Sequence, residues 1–252
     1  DSLGLGPVDT IDITIPTAEP KQQTDNSTES VEKATALLSK VIEVSGGLEN
    51  FKKVQSISFI SKIFIDPKDR EMWVDREATF VYPDRKRNVI VMGGQPIYDI
   101  FAGDHGWMTS TMGQIEDMKD SEMDAARLDI GRNIINIFAN FDNPYYKVTY
   151  GGPDVMEDIP IEYVALTDLE GTAICRLGIG ADGQLVCRTF YGMTAFGPGI
   201  TEEIYSNRTE VEGCLIPMDI KRIMNGNEFG SETIVEFNIN PEIPADSFTK
   251  PE

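Results

Sequence analysis

VQSISFISKIFIDPKDREMWVDREATFVYPDRKRNVIVMGGQPIYDIFAG, residues 54–103, decides the fold class. In its first run Ile57, Phe59, Ile63 and Ile65 alternate with Ser and Lys positions. In its second, Met72, Val74, Ala78, Phe80 and Tyr82 alternate with Trp73, Asp75, Glu77 and Thr79. Successive strand side chains point to opposite faces, so a period of two predicts strands with one face on a core. RNVIVMG (Arg87–Gly93) and IYDIFAG (Ile97–Gly103) follow, punctuated by the turn signals Pro83-Asp84 and Gly93-Gly94. Strands at this spacing with no helix between them predict an antiparallel meander rather than βαβ units.

Outward from this block the period changes. From Glu29 to Ser45, Val31, Ala34, Leu38 and Val41, with Leu37 and Ile42, recur every three or four residues, which predicts an amphipathic helix. Asn26 is its expected N-cap, with Glu29 three residues on, and Gly46-Gly47 its expected end. Residues 1–28 read as an extended lead-in, in which only Val8–Ile15 alternates like a strand, and residues 29–252 as the domain itself. On the other side, Ser121 with Asp124 is the expected cap of a second helix. There Met123, Ala126, Ile130, Ile134, Ile137 and Phe141 form one continuous stripe, widened by Ile135 and Phe138. Strand-like runs then fall at Tyr146–Tyr150, Ile159–Thr167, Thr172–Ile179, Gln184–Tyr191, Leu215–Met224 and Glu232–Ile239, with pieces of Thr194–Thr209 in reserve. The expected architecture is α+β: a long, curled antiparallel sheet, an unclosed half-barrel, with two main helices on its concave face.

Charge narrows the partners. Among 252 residues, 42 acidic side chains face 22 basic ones, a net charge of −20. Binding to DNA, RNA or anionic membranes begins with phosphate neutralisation by Lys and Arg, so this balance argues strongly against them as partners. No apolar run approaches the ~18 residues of a membrane span.

The catalytic inventory is thin. The single histidine, His105, stands in GDHGW (Gly103–Trp107), which reads as a turn, and no G-x-S-x-G elbow accompanies it. One His and no close Cys pair exclude a His-based zinc site. The acidic run IEDMKDSEMD (Ile115–Asp124) lacks the spacing of a calcium loop and reads as a solvated face and helix start. No Gly-rich phosphate loop precedes a helix, so neither a metal nor a cofactor is expected. Paired carboxylates stay open, because 42 acids always offer pairs. Cys175 and Cys187 flank Gly180–Gly183 at near-symmetric positions; they either face each other across a hairpin and oxidise, or stay as two buried thiols. The surplus apolar material at inner-face positions is Trp73, Phe80, Phe101, Trp107, Ile134, Phe138 and Phe141. These residues read either as plain core or as the lining of a ligand cleft, since a half-closed sheet around an apolar helix rarely fills itself.

Five segments in order carry a family resemblance: VSGGLENFKKVQSI (Val44–Ile57), FAGDHGW (Phe101–Trp107), VTYGGPDVMEDIPIEYVAL (Val148–Leu166), YSNRTEVEGCLIP (Tyr205–Pro217) and FNINPEIPADSFTKP (Phe237–Pro251). Together they resemble the outer-membrane lipoprotein-sorting proteins of the LolA/LppX-like group, over roughly residues 30–251. The flavour is that of the version at the C-terminus of pitrilysin/insulinase-type zinc peptidases, and Asp1–Ile13 resembles the tail of such a peptidase domain. The peptidase's H-x-x-E-H motif is absent, so no catalytic residue carries over. The resemblance implies a non-catalytic module of the periplasm or cell envelope of a bacterium. Its cavity would hold a lipid, an acyl chain or an apolar peptide. The alternative it implies is an accessory domain that partners a zinc peptidase, and a third reading, a hydrolase, would need two carboxylates facing one cleft.

Overall fold

The computed structural model describes residues 25–65, 71–143, 146–194 and 197–251. The expected strand at Val8–Ile15, and most of the lead-in with it, lies outside the described residues. The chain opens with helix α1 (Thr28–Val44) and a single turn, α2 (Leu48–Phe51). Six strands follow: β1 (Ser56–Ile65), β2 (Met72–Val81), β3 (Arg85–Met92), β4 (Gln95–Ala102), β5 (His105–Thr109) and β6 (Ile115–Asp117). Helices α3 (Asp120–Gly131) and α4 (Ile134–Asn140) lead to β7 (Lys147–Met156), β8 (Ile159–Thr167), β9 (Ala173–Gly180) and β10 (Leu185–Thr194). The chain closes with β11 (Gly197–Val211), β12 (Cys214–Met224) and β13 (Asn227–Ile239).

All the described strands join one antiparallel sheet in the order β6-β5-β4-β3-β2-β1-β13-β12-β11-β10-β9-β8-β7. Each strand pairs with its sequence neighbour except at the middle, where β1 pairs β13. The edges β6 and β7 are consecutive in sequence but unpaired, so α3 and α4 carry the chain from one edge to the other. This is the expected α+β architecture of an unclosed half-barrel.

Local chemistry sets the helix ends. The N-cap of α1 is Ser27 rather than Asn26, its hydroxyl accepting from the Ser30 amide at 3.2 Å. At its end Gly46 has φ +125°, and a Cβ there would lie 2.0 Å from the Gly213 carbonyl oxygen. Only glycine permits that backbone crossing. α1 buries Ala34, Leu38, Val41 and Ile42 and lies across β7 and β8, where the Ser30 hydroxyl accepts from the Tyr150 amide at 3.0 Å.

The long second helix expected over residues 121–141 is two helices. Its first piece is capped at Lys119, with the Glu122 carboxylate accepting from the Lys119 amide at 2.7 Å, so Ser121 lies inside the first turn. The break falls at Arg132-Asn133. Asn133 takes an extended conformation and its side-chain oxygen accepts from the Ile135 amide at 3.0 Å and the Tyr82 hydroxyl at 2.8 Å. Asn is a good cap and a weak interior helix residue, and the preceding Gly131 favours the same stop.

Two further expectations change. His105 opens strand β5 and Ile115–Asp117 forms edge strand β6, where the sequence suggested loop and helix start. Of the two alternatives for Cys175 and Cys187, the structure has the second, buried thiols: the two residues do not oppose each other. An irregularity between Leu185 and Cys187 sets Cys187 against Gly178, so Cys175 joins the main core and Cys187 a smaller cluster with Tyr163, Ile161 and Ile204. All three cysteines are free and buried.

Candidate ligand cavity

Between α1 at one end of the sheet and α3 at the other, the inner face is incompletely filled. A cavity of about 390 Å³ opens there, walled by β1–β3 and β10–β13 and roofed by the α3–α4 junction. Apolar side chains provide most of the wall, among them Ile57, Phe59, Ile63, Phe80, Ile220 and Phe237. Phe59 stacks between Phe80 (6.5 Å) and Phe237 (6.1 Å), which fixes three neighbouring strands to one another. The cavity is partly open to solvent, so water or a ligand can enter it.

A belt of charge crosses this apolar chamber. Glu232 on β13, fully buried, accepts from Arg76 on β2 at 3.1 Å, from Arg222 on β12 and from the Ser61 hydroxyl on β1. Arg222 also reaches Glu203 on β11 at 3.4 Å, and Arg188 on β10 meets the same carboxylate at 2.5 Å. Tyr205 donates to Glu203 at 2.8 Å. Arg188 in turn donates to the Arg132 carbonyl at the helix break. Arg132 pairs with Asp129, Asp129 with Lys86 at 2.8 Å, and Lys86 with Asp99 on β4 at 2.7 Å. Asp99 is the cross-strand neighbour of Asn88, whose side-chain oxygen accepts from Arg76 Nε at 2.6 Å. The polar groups thus run round the chamber and return to their start.

Burial alone would raise both glutamates, but the guanidiniums overcome it. Arg188 and Arg222 hold Glu203 at about 2, and Arg222 and Arg76 hold Glu232 at about 2. Burial likewise opposes the charge on Lys86, yet Asp129 and Asp99 raise its pKa above the usual lysine value. Carboxylates pinned this low cannot deliver a proton near neutral pH, so Glu203 and Glu232 do not form the acid–base pair that the hydrolase reading requires.

The structure separates the seven residues singled out from sequence. Phe80, Ile134 and Phe138 line the cavity. Phe101 is fully buried beneath Arg127 and lines a separate pocket with Asn136 and Asn140. Phe141 caps α4 and packs against the core without lining either space. Trp73 lies elsewhere than the sequence suggests: it is 65% exposed and makes a tilted ring contact with Phe64, centroids 5.1 Å apart, on the outer face, because the register pairs Trp73 with Phe64 and Val74 with Ile63. Trp107 likewise pairs with Ile100 on the face opposite Phe101. The tail passes that side of the sheet, with Phe248 against Arg85 and Lys250 on Asp117 at 2.9 Å. The belt itself escaped the sequence reading. Its one signal was parity, since Arg76 shares the inward period of Val74, Ala78 and Phe80.

No family model matches the chain, and no curated protein matches it by sequence. Solved structures do match. A LolA superfamily protein from Nitrosomonas europaea superposes with a TM-score of 0.56 at 16% identity, over 86% of this chain and 97% of that one. The chain shares that half-barrel fold. A DUF1329 family protein from Desulfovibrio piger gives a TM-score of 0.56 at 10% identity, over 85% of this chain and 96% of the other. A Vibrio parahaemolyticus domain described as an outer membrane lipoprotein-sorting protein gives 0.52 at 8%, over 87% and 97%. At these identities the likeness concerns the fold, and it lends nothing to the peptidase setting. Among the described residues, no helix is long and apolar enough to cross a membrane, and no three His, Cys, Asp or Glu side chains gather to hold a metal ion.

Proposed function

We propose that this protein is a non-catalytic carrier or binding module of the bacterial envelope that holds a lipid or acyl chain inside the half-barrel. The observation that carries the reading is the cavity of about 390 Å³, apolar over most of its wall, at the centre of an open sheet. Half-barrels of this kind occur in a LolA superfamily protein and in a domain described for lipoprotein sorting, which supports both the ligand class and the envelope setting. Energetically the reading is adequate. Burying an acyl chain yields about 0.8 kcal/mol per methylene, so ten methylenes supply roughly 8 kcal/mol against the cost of association.

Native mass spectrometry of the purified chain, followed by organic extraction, tests it. A bound lipid mass, or stoichiometric uptake of added phospholipid or fatty acid by stripped protein, is the expected result. A clean apo mass together with no uptake refutes the carrier reading.

A further inference from the structure

The belt is satisfied almost everywhere. Among the described residues three buried side-chain polar atoms lack a hydrogen-bond partner: Thr189 Oγ1, on the opposite face of β10, and Arg188 Nε and Thr201 Oγ1, whose residues both line the cavity. Thr201 is only 3% exposed. The β10–β11 register sets Arg188 opposite Glu203 and Phe190 opposite Thr201, so Arg188 and Thr201 are diagonal neighbours on the inner face, about 7 Å apart at the backbone. A buried donor left unmade is costly, and native structures rarely tolerate one. Two such donors side by side, one of them on a cation, describe a place for an anionic oxygen.

The charge inside the chamber agrees, and it runs against the charge of the chain. Six cationic side chains line the cavity against four carboxylates, leaving an excess of two positive charges in a protein whose net charge is −20. One excess charge belongs to the belt, where Arg76, Arg188 and Arg222 share Glu203 and Glu232. The other is Arg208, which donates to the Leu185 carbonyl at 2.5 Å and has no carboxylate within salt-bridge distance among the described residues. A neutral lipid would leave this excess uncompensated.

We infer that the cavity selects an acyl-chain amphiphile with a single anionic head, a carboxylate or a phosphate monoester, whose oxygen accepts from Arg188 Nε and Thr201 Oγ1 while the chain lies along the aromatic wall at Phe59 and Phe237. The inference rests on the carrier reading and sharpens it. Stripped protein is titrated, below micelle-forming concentrations, with palmitate, hexadecyl phosphate and hexadecanol, and with the same ligands on Thr201→Val and Arg188→Lys. Thr201→Val removes only an unpartnered hydroxyl, so its fold is secure even if the arginine variant proves unstable.

Both anions, or one of them, should bind at least about tenfold tighter than the alcohol, and the tighter one identifies the head. Thr201→Val should weaken the anions several-fold while leaving the alcohol unchanged. Equal affinity for anions and alcohol overturns the head-group assignment and leaves the carrier reading standing. An anion preference untouched by Thr201→Val also overturns it, because the head then sits elsewhere. Binding of none of the three overturns both.

Discussion

Glu232→Gln is the sharpest test of the belt. The side chain is fully buried between two guanidiniums, and the amide keeps its size and its bond from Ser61 while removing its charge. Arg222 retains Glu203, but Arg76 loses its only carboxylate among the described ion pairs. The carboxyl titrates at about 2 in the folded protein against an ordinary 4.5. That difference of about 2.5 pH units corresponds to roughly 3 kcal/mol, within the ~3–5 kcal/mol range for breaking a buried pair. For a chain of this size the midpoint of thermal unfolding should fall by about 6–12 °C at pH 7. The sign of the pH dependence follows from the direction of the shift. A depressed carboxylate stabilises the fold above its unfolded value, and that stability drains away as pH falls from about 4.5 toward 2. Urea unfolding followed by far-UV circular dichroism, at steps from pH 7 to pH 2.5, should therefore show wild type and variant converging. A gap below about 1 kcal/mol at pH 7, or one that persists unchanged to pH 2.5, would refute the electrostatic account of the belt.

Four further outcomes are expected. Ile63→Trp, at a partly exposed position on the cavity wall, should cut uptake of a fluorescent fatty acid at least about fivefold with little loss of stability, read by displacement titration. Asn133→Ala removes the cap of α4 and the partner of Tyr82, and should cost about 1–2 kcal/mol in urea unfolding. Gly46→Ala drives a methyl group into the Gly213 carbonyl and should destabilise by at least about 2 kcal/mol, or leave the protein insoluble. Burial pushes the Cys175 thiol up to about 12 and Cys187 and Cys214 to about 11, so Ellman's reagent at pH 8 should find no reactive thiol in the native protein and three in urea.

The strands were legible because alternation is a local signal: the runs at Ile159–Thr167 and Leu215–Met224 became β8 and β12 almost residue for residue. The two tryptophans show how that same signal is wasted. Trp73 stands one position from Val74, so parity already excluded it from the face of Phe80, and size alone placed it among the inner residues. The helix break was harder to see. An apolar stripe continues straight through Arg132-Asn133, and only the capping chemistry of Asn133 opposes it. The belt was invisible for a deeper reason. Its members on the strands, Arg76, Arg188, Glu203, Arg222 and Glu232, come one per strand, each set among charges and apolar residues that give no sign of it. Only cross-strand register brings them together, and register is not written in any one segment. The cavity follows the same rule, since a void is a property of packed elements.

The seam where β1 meets β13 has a consequence for how the protein comes into being. β1 ends at Ile65 and β13 begins at Asn227, so about 160 residues separate the two sides of the central pairing. At roughly 5–20 residues per second of synthesis, β1 waits about 8–30 s before its partner exists. Throughout that interval the first sheet half presents an unpaired, apolar-sided strand at what will become the middle of the molecule. The last strand of this sheet to be made is thus the one that joins its two halves, and pairings so distant in sequence close slowly. Synthesis of β13, rather than any earlier step, commits this sheet to its fold, and a chaperone that shields β1 until then would raise the yield.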